Sequence, residues 1–199
     1  MIEINYSPSE RLCQGDVIKN VYYIQKIEEL EENLKITIID FPLVIILTQD
    51  CDLERDYKNR FDTENIKNDD KKLISALIAP LYVSEQVIAG THLEELGLKM
   101  QQIPKGKKRK PSTRLNNLIK NETPRYHYLN FSPKSQIADR IIDFKHYFSV
   151  NVEHLEQLKK DNFICQVREL YREDISQRFA NYLSRIGLPP DETSSSRDS

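Results

Sequence analysis

The stretch DFPLVIILTQDCDLERD, residues 40–56, joins a long apolar run to an abruptly polar end. From Phe41 to Leu47 the residues are uncharged and mostly branched, without alternation of apolar and polar side chains. A strand that is covered on both faces has this pattern, so the run predicts a central β-strand. Pro42 lacks an amide hydrogen and therefore predicts a strand start or a bend. The polar end consists of Thr48, Gln49, Asp50, Cys51 and Asp52.

Further strand patterns lie on either side of this run. Residues 15–27, GDVIKNVYYIQKI, are rich in Val, Ile and Tyr, and residues 34–40, LKITIID, alternate apolar with polar side chains. Both patterns are typical of strands, and the charged segment between them predicts a turn. Later strands are predicted at residues 73–82, 125–131 and 138–150. About five to six strands joined by long loops favour a small twisted barrel, and hence a β-rich α+β fold.

The other segments predict loops and helices. Residues 54–72 are polar and predict a long loop, with room for a helical turn, whereas Ser112 is placed to cap a short helix that follows it. After residue 151 apolar residues recur at helical spacing, which predicts amphipathic helices, including one from Asn162 to Arg185. Its apolar stripe is Ile164, Val167, Tyr171, Ile175, Phe179 and Ile186. The predicted organisation is a barrel domain at 1–150 with a basic insertion at about 84–123, carboxy-terminal helices at 151–188 and a disordered tail at 189–199.

The overall composition is that of a globular domain with no strong net charge. The chain of 199 residues is 39% hydrophobic and 30% charged, with a formal net charge of -2, so attraction to nucleic acid must be local. No apolar run approaches the length of about 20 residues that a membrane helix needs, and the amino terminus predicts no signal peptide. Cys13, Cys51 and Cys165 are widely spaced, which favours a reducing cytoplasm over a disulfide framework or a zinc site.

The order of these segments resembles that of a known family. The matching features are GDV at residue 15, PLVIILT at residue 42, LISALIAPLY at residue 73 and SQIADRIIDFKHYFSVNVEHL at residue 135. Together they resemble the MazF/PemK family of toxin endoribonucleases, which are small SH3-like barrels. The resemblance implies an SH3-like barrel that binds nucleic acid. It has departures: Phe41 stands where the family has an arginine before the proline, and the basic insertion and carboxy-terminal helices are additional.

Asp50 and Asp52 form the first candidate site. If the strand continues through Asp52, its period of two puts both carboxylates on one face, roughly 7 Å apart. They can then hold a divalent metal such as Mg²⁺ through waters, or act as acid and base with one raised pKa. In the alternative interpretation, Asp50 and Asp52 accept backbone hydrogen bonds where the strand turns, and Cys51 is a small buried residue.

Arg125 and His127 form the second candidate site, on one face of a predicted strand. A histidine can protonate a leaving oxygen while an arginine stabilises the charge on a phosphorane, as RNA cleavage requires. Tyr126 and Tyr128 lie on the other face and can stack on bases if they are exposed. Alternatively, the tyrosines belong to the core, and Arg125 and His127 lie on an ordinary solvated face.

The basic insertion contains a candidate nucleic-acid-binding loop. Six cations and no acid occur within ten residues, and such clusters neutralise phosphates. The alternative is a solvated, mobile loop, which most charge runs are. The six residues are Lys105, Lys107, Lys108, Arg109, Lys110 and Arg114.

Two functions are compatible with these features. The first is an intracellular nucleic-acid-binding module, or an endoribonuclease of a toxin–antitoxin or phage-defence system, acting on RNA or another polyanion. The second is a non-catalytic scaffold protein that binds a partner chain, or a second copy, through its carboxy-terminal helix.

Overall fold

Eight strands form a strongly curled antiparallel sheet, a half-barrel, in the computed structural model of the chain. The structure describes residues 1–31, 33–61, 68–107 and 110–185. The strand order is β1-β10-β2-β3-β4-β8-β7, and β9 also pairs with β4. These strands are β1 (Ile4–Asn5), β2 (Asp16–Leu30), β3 (Asn33–Ile46), β4 (Ser75–Val83), β7 (Tyr126–Leu129), β8 (Arg140–Asp143), β9 (Phe148–Asn151) and β10 (Phe163–Val167).

The described residues also contain five α-helices and a separate short hairpin. The helices are α1 (Asp50–Phe61), α2 (Ser84–Ala89), α3 (Thr113–Ile119), α4 (Val152–Asn162) and α5 (Glu169–Leu183). The hairpin pairs β5 (Gly106–Lys107) with β6 (Lys110–Pro111). A β-rich α+β protein with a barrel-like sheet is thus confirmed, whereas the SH3-like topology stays a prediction. Across the part of the chain that the structure describes, no helix is long and apolar enough to cross a membrane.

The predicted central strand is the inner end of β3. Val44 and Ile46 pack into one buried cluster while Ile45 packs into another, so both faces of β3 are covered there. This explains the missing alternation in the sequence. Pro42 lies inside β3 rather than at a strand start, and the residue opposite it in the register, Asn20, has a φ of 59°.

Residues 50–61 fold as the helix α1, so the predicted strand extension through Asp52 and the loop predicted at residues 54–61 are wrong. The side of α1 that faces the protein is largely polar, with Leu53, Asp56 and Asn59 buried. Asp56 pairs with Arg60, which also pairs with Glu156 of α4 at 2.7 Å. A helix that docks through ion pairs shows little apolar periodicity, so the usual sequence signal was weak.

The carboxy-terminal region is part of the sheet rather than an appendage. The helix predicted from Asn162 to Arg185 is wrong, because Phe163–Val167 form β10 between β1 and β2. Ile175 and Phe179 of α5 are only 2% and 7% exposed and pack into the main core. The apolar stripe that was expected to bind a partner is therefore covered by the chain itself, except for Ile186, which lies outside the described residues.

The longest strands extend beyond the rest of the sheet. β2 and β3 pair from Val17 with Ile45 to Leu30 with Asn33. In contrast, β10 pairs only with residues 16–18 of β2, and β4 only with residues 44–46 of β3. Residues 22–30 and 33–40 thus form a two-stranded extension, which we call the outer ribbon.

Candidate functional site

Asp50 lies in a dense ionic cluster at the start of α1. Its two carboxylate oxygens accept hydrogen bonds from both terminal nitrogens of Arg11, at 3.1 and 2.8 Å, and one also accepts from the Gln14 amide at 3.1 Å. Arg172 of α5 is 3.7 Å away. Burial alone would raise the pKa of Asp50, but these hydrogen bonds hold that pKa below its ordinary value. This arrangement ties α1 to the amino-terminal segment and to α5.

Asp52 does not join Asp50. Residues two apart on a helix do not face each other, and Asp52 lies 3.9 Å from Arg55 with a side chain that is 47% exposed. The expected pair of carboxylates on one strand face is therefore wrong, and the donor set does not suit Mg²⁺, since Arg11 occupies both oxygens of Asp50. Among the described residues, no group of three or more His, Cys, Asp and Glu side chains is placed to hold a metal ion.

His127 points into the core, away from solvent. The residue is 3% exposed, and burial together with the nearby charge of Arg178 lowers its pKa to about 3. Asp174 lies 4.0 Å from Nε2, but this carboxylate is 56% exposed and does not offset the burial. A buried imidazole that stays neutral is a poor general acid, so the geometry does not favour the predicted catalytic role of His127.

Arg125 pairs with a buried carboxylate. Its Nε lies 2.8 and 3.1 Å from the two oxygens of Asp143, and its Nη2 donates to the same carboxylate. Asp143 is fully buried, at the end of β8. The hydrogen bond to Asp143 raises the pKa of Arg125, so the guanidinium is permanently charged. Among the described residues, no hydrogen bond or ion pair joins Arg125 to His127: Arg125 pairs with Asp143, and the carboxylate nearest to His127 is that of Asp174.

A chain of polar aromatic groups continues from Asp143. Nδ1 of His146 lies 3.6 Å from the Asp143 carboxylate and 3.0 Å from the Tyr82 hydroxyl, a hydrogen bond in which either group can donate. The ring of His92 packs against the Tyr82 ring with centroids 4.8 Å apart. Both ring nitrogens of His92 are buried and have no hydrogen-bond partner among the described residues. We call Asp143, His146, Tyr82 and His92 the histidine cluster.

The histidine cluster reaches a cavity of about 200 Å³. Tyr82 and His92 line it together with Arg140, whose Nε also has no hydrogen-bond partner among the described residues. Phe41 and Pro42 lie on the same wall. Polar residues, among them Asp40 and Glu95, line it beside apolar ones. Because ligand sites are concave and contain converging polar groups, we take this cavity as a candidate pocket.

The pKa values in the histidine cluster favour neutral histidines. Burial lowers the pKa of His92 and of His146, and for His146 the carboxylate of Asp143 opposes that effect. Burial, reinforced by the charge of Asp143, raises the pKa of Tyr82. Burial also lowers the pKa of Arg140, although a guanidinium remains charged at neutral pH. The cavity thus combines the cation of Arg140 with the carboxylates of Asp40 and Glu95 and with groups that can accept or donate a proton.

The rings of Tyr126 and Tyr128 are not free to stack on bases, because they pack against other side chains. Both pack against Val87, Leu118 and Ile141 in a small apolar cluster. The Tyr128 hydroxyl donates to Asp139 at 2.6 Å, and burial together with this bond raises its pKa to about 12. The alternative interpretation of these tyrosines as core residues is therefore the correct one.

Part of the basic loop forms the short hairpin of β5 and β6 on the surface. Lys105, Lys107, Lys110 and Arg114 are exposed, and none forms an ion pair with a residue that the structure describes. Lys108 and Arg109 lie outside the described residues. Ser112 caps α3 as predicted, accepting a hydrogen bond from the Leu115 amide at 3.1 Å. From Lys99 to Lys120 the sequence has eight basic residues and no acidic one, so this segment carries only positive charge.

Comparison with known proteins does not assign the chain to a family. No protein-family model matches the chain, and a search of curated proteins finds no significantly similar sequence. The resemblance to the MazF/PemK family stays a prediction.

Sequence reasoning missed most of the cavity. Tyr82 lies in β4, His92 lies in the turn after α2, and Arg140 lies in β8. No spacing rule connects these three residues in the sequence. His146 follows Asp143 at a spacing of three residues, which was the only local signal.

Proposed function

We propose that this protein binds single-stranded RNA, or another flexible polyanion, through its basic hairpin. The proposal rests on four exposed cations that form no ion pair with a described residue, in a segment, 99–120, without acidic residues. They are Lys105, Lys107, Lys110 and Arg114. Unpaired cations in this arrangement release condensed counterions from phosphates when a polyanion binds.

The hairpin provides charge but no stacking surface. The segment from Lys99 to Lys120 contains no aromatic residue, and Tyr126 and Tyr128 are packed away. Binding should therefore be electrostatic, strongly dependent on salt and weakly dependent on base sequence, since phosphate contacts carry no sequence information.

The test is the salt dependence of binding to a short oligoribonucleotide. Each phosphate contact on a single strand contributes about -0.7 to the slope of log affinity against log salt. Replacing Lys105, Lys107 and Lys110 with Gln should flatten that slope by about 2, as measured by fluorescence anisotropy over a salt series.

A matched control separates the hairpin from overall charge. Lys71, Lys72 and Lys134 are also exposed, and replacing them with Gln removes the same total charge elsewhere on the surface. The control variant should keep the wild-type slope. Equal slopes for the wild type and the hairpin variant would contradict the proposal.

A second candidate function is RNA cleavage at the cavity. Arg140 and His92 have nitrogens without hydrogen-bond partners among the described residues. A guanidinium can hold a phosphodiester, and a neutral imidazole can accept the proton of the attacking 2′-hydroxyl, while water protonates the leaving 5′-oxygen as its bond to phosphorus breaks. In the resemblance to the MazF/PemK family, Phe41 and Pro42 stand where that family has Arg-Pro, and Arg140 supplies a guanidinium to the cavity that both line.

Cleavage is tested with labelled RNA, with and without added Mg²⁺. If the cavity is catalytic, His92→Asn and Arg140→Gln should each lower the rate by about 100-fold or more, with unchanged binding at the hairpin. His154→Asn is the control, because His154 is an exposed residue of α4. Cleavage that survives both cavity substitutions would exclude this role.

A further inference from the structure

The outer ribbon has one strongly apolar face that nothing in the described chain covers. Ile24 is opposite Ile38, and Ile27 is opposite Ile36. A register shift between Ile24 and Lys26 returns Ile27 to the face that Ile24 occupies, which strict alternation would not do. The whole apolar face consists of Tyr22, Ile24, Ile27, Leu34, Ile36 and Ile38, which are 49% to 63% exposed.

The opposite face of the ribbon carries charged side chains together with Leu30 and Ile39. Glu28 lies between Lys26 and Lys35, with nitrogen–oxygen distances of 2.7 and 3.8 Å. Nearer the sheet, Tyr23 packs against Phe148 with ring centroids 5.0 Å apart. The ribbon is thus amphipathic, and an isolated two-stranded hairpin is only marginally stable in water. Its apolar face needs a second surface.

We propose that this face is the interface between two copies of the chain. Its six side chains expose on the order of 600 Å², which is the upper end of the range of the largest apolar patch on a monomer. A standard interface buries about 800 Å² on each partner, so one such face with its surroundings is enough for a dimer. In a two-fold dimer the apolar face of one copy packs against the same face of the other copy, and no further copy can add at this surface.

The charges of the ribbon favour a second copy of the chain over nucleic acid as the binding partner of the apolar face. Residues 22–40 contain five acidic and two basic residues, a net charge of -3, which repels phosphates. The centre of the apolar face is uncharged, with Glu29 near the tip and Asp40 near the base. Two copies can therefore stack their isoleucines without burying a charge.

The same charges select an antiparallel arrangement of the two ribbons. Nine residues, 22–30, span about 30 Å, so antiparallel packing separates the acidic tips by more than the Debye length of about 8 Å. Parallel packing would instead bring Glu28, Glu29 and Glu31 of both copies together. In the antiparallel dimer each tip instead meets the other copy's base, where Asp40 is the one acidic residue of residues 33–40.

Sedimentation equilibrium of the full chain, with two neighbouring substitutions, tests the proposal. Ile36→Asp places a charge on the apolar face and should raise the dimer dissociation constant by about 100-fold or more, because each dimer would bury two of them. Thr37→Asp makes the same change of charge on the opposite face and should leave the dimer intact. Both positions lie outside the core, and circular dichroism verifies that both variants are folded.

Cross-linking tests the orientation independently. In a Cys51→Ser background, which removes the exposed thiol, Leu34→Cys at the tip should form a disulfide with Tyr22→Cys at the base of another copy. Two Leu34→Cys chains should not cross-link to each other. A wild-type chain that is monomeric at every accessible concentration, or a dimer that Ile36→Asp leaves unchanged, would overturn the proposal.

Discussion

Asp143 is a fully buried carboxylate whose charge is compensated mainly by Arg125. Removing one partner of a buried ion pair leaves the other charge uncompensated. We expect Asp143→Asn to lower the free energy of unfolding by about 3 kcal/mol, at the lower end of the usual range because the Arg125 side chain is 25% exposed. Urea denaturation measures the loss.

Asp52→Asn is the control for this substitution, because Asp52 is exposed and only 3.9 Å from one arginine. Its effect should stay within about 0.5 kcal/mol. A loss at Asp52 as large as that at Asp143 would contradict the assignment of Asp143 as the buried centre of the polar network.

His127 makes stability depend on pH. Its pKa of about 3 in the folded chain lies below the ordinary value of 6.5, so between these values the unfolded chain binds a proton that the folded chain does not. Stability is therefore complete above pH 6.5 and falls as the pH falls, by at most about 1.4 kcal/mol per pH unit from this residue.

The variant His127→Leu tests this linkage. It should unfold with a shallower dependence on pH below 6.5 than the wild type, as measured by denaturation at a series of pH values. His154→Gln, a change at an exposed histidine, should keep the wild-type dependence. Parallel curves for the wild type and His127→Leu would show that His127 is solvated in solution.

At the scale of elements, α5 packs against the main core and so contributes to the stability of the fold. Phe179 is 7% exposed and packs against Phe144 with ring centroids 5.4 Å apart. We expect Phe179→Ala to lower the free energy of unfolding by about 3–5 kcal/mol. Leu170→Ala, on the same helix but 83% exposed, should change it by less than about 0.5 kcal/mol. Similar effects of the two substitutions would mean that α5 does not pack as described.

The elements that the sequence predicted correctly are those with a local signal. The run of Val44, Ile45 and Ile46 identifies a strand covered on both faces, and Ser112 identifies the start of α3. Two elements were wrong for opposite reasons. α1 docks through charged groups such as Asp56, and β10 is apolar at positions that also fit a helix, so a partner strand decided its conformation.

At the scale of the whole molecule, charge is distributed unevenly along the chain, which the overall net charge does not show. The net charge of -2 is the sum of -3 for residues 22–40, +8 for residues 99–120 and -7 for the rest of the chain. The basic run was visible in the sequence because its residues are contiguous. The cavity was not, since it depends on how β4, β8 and the turn after α2 meet, and that is a property of the tertiary fold.

The two proposals make a joint prediction, because a dimer carries two basic hairpins. An RNA long enough to reach both hairpins binds the second one at a high effective concentration, so it should bind more tightly than a short RNA by at least about 10-fold. Ile36→Asp should abolish this advantage of length while leaving the affinity for short RNA unchanged. Anisotropy titrations with both RNAs measure the two quantities separately. A loss of short-RNA binding would place the ribbon in the RNA site, whereas an advantage of length that persists in a monomeric variant would show that one hairpin already accounts for it.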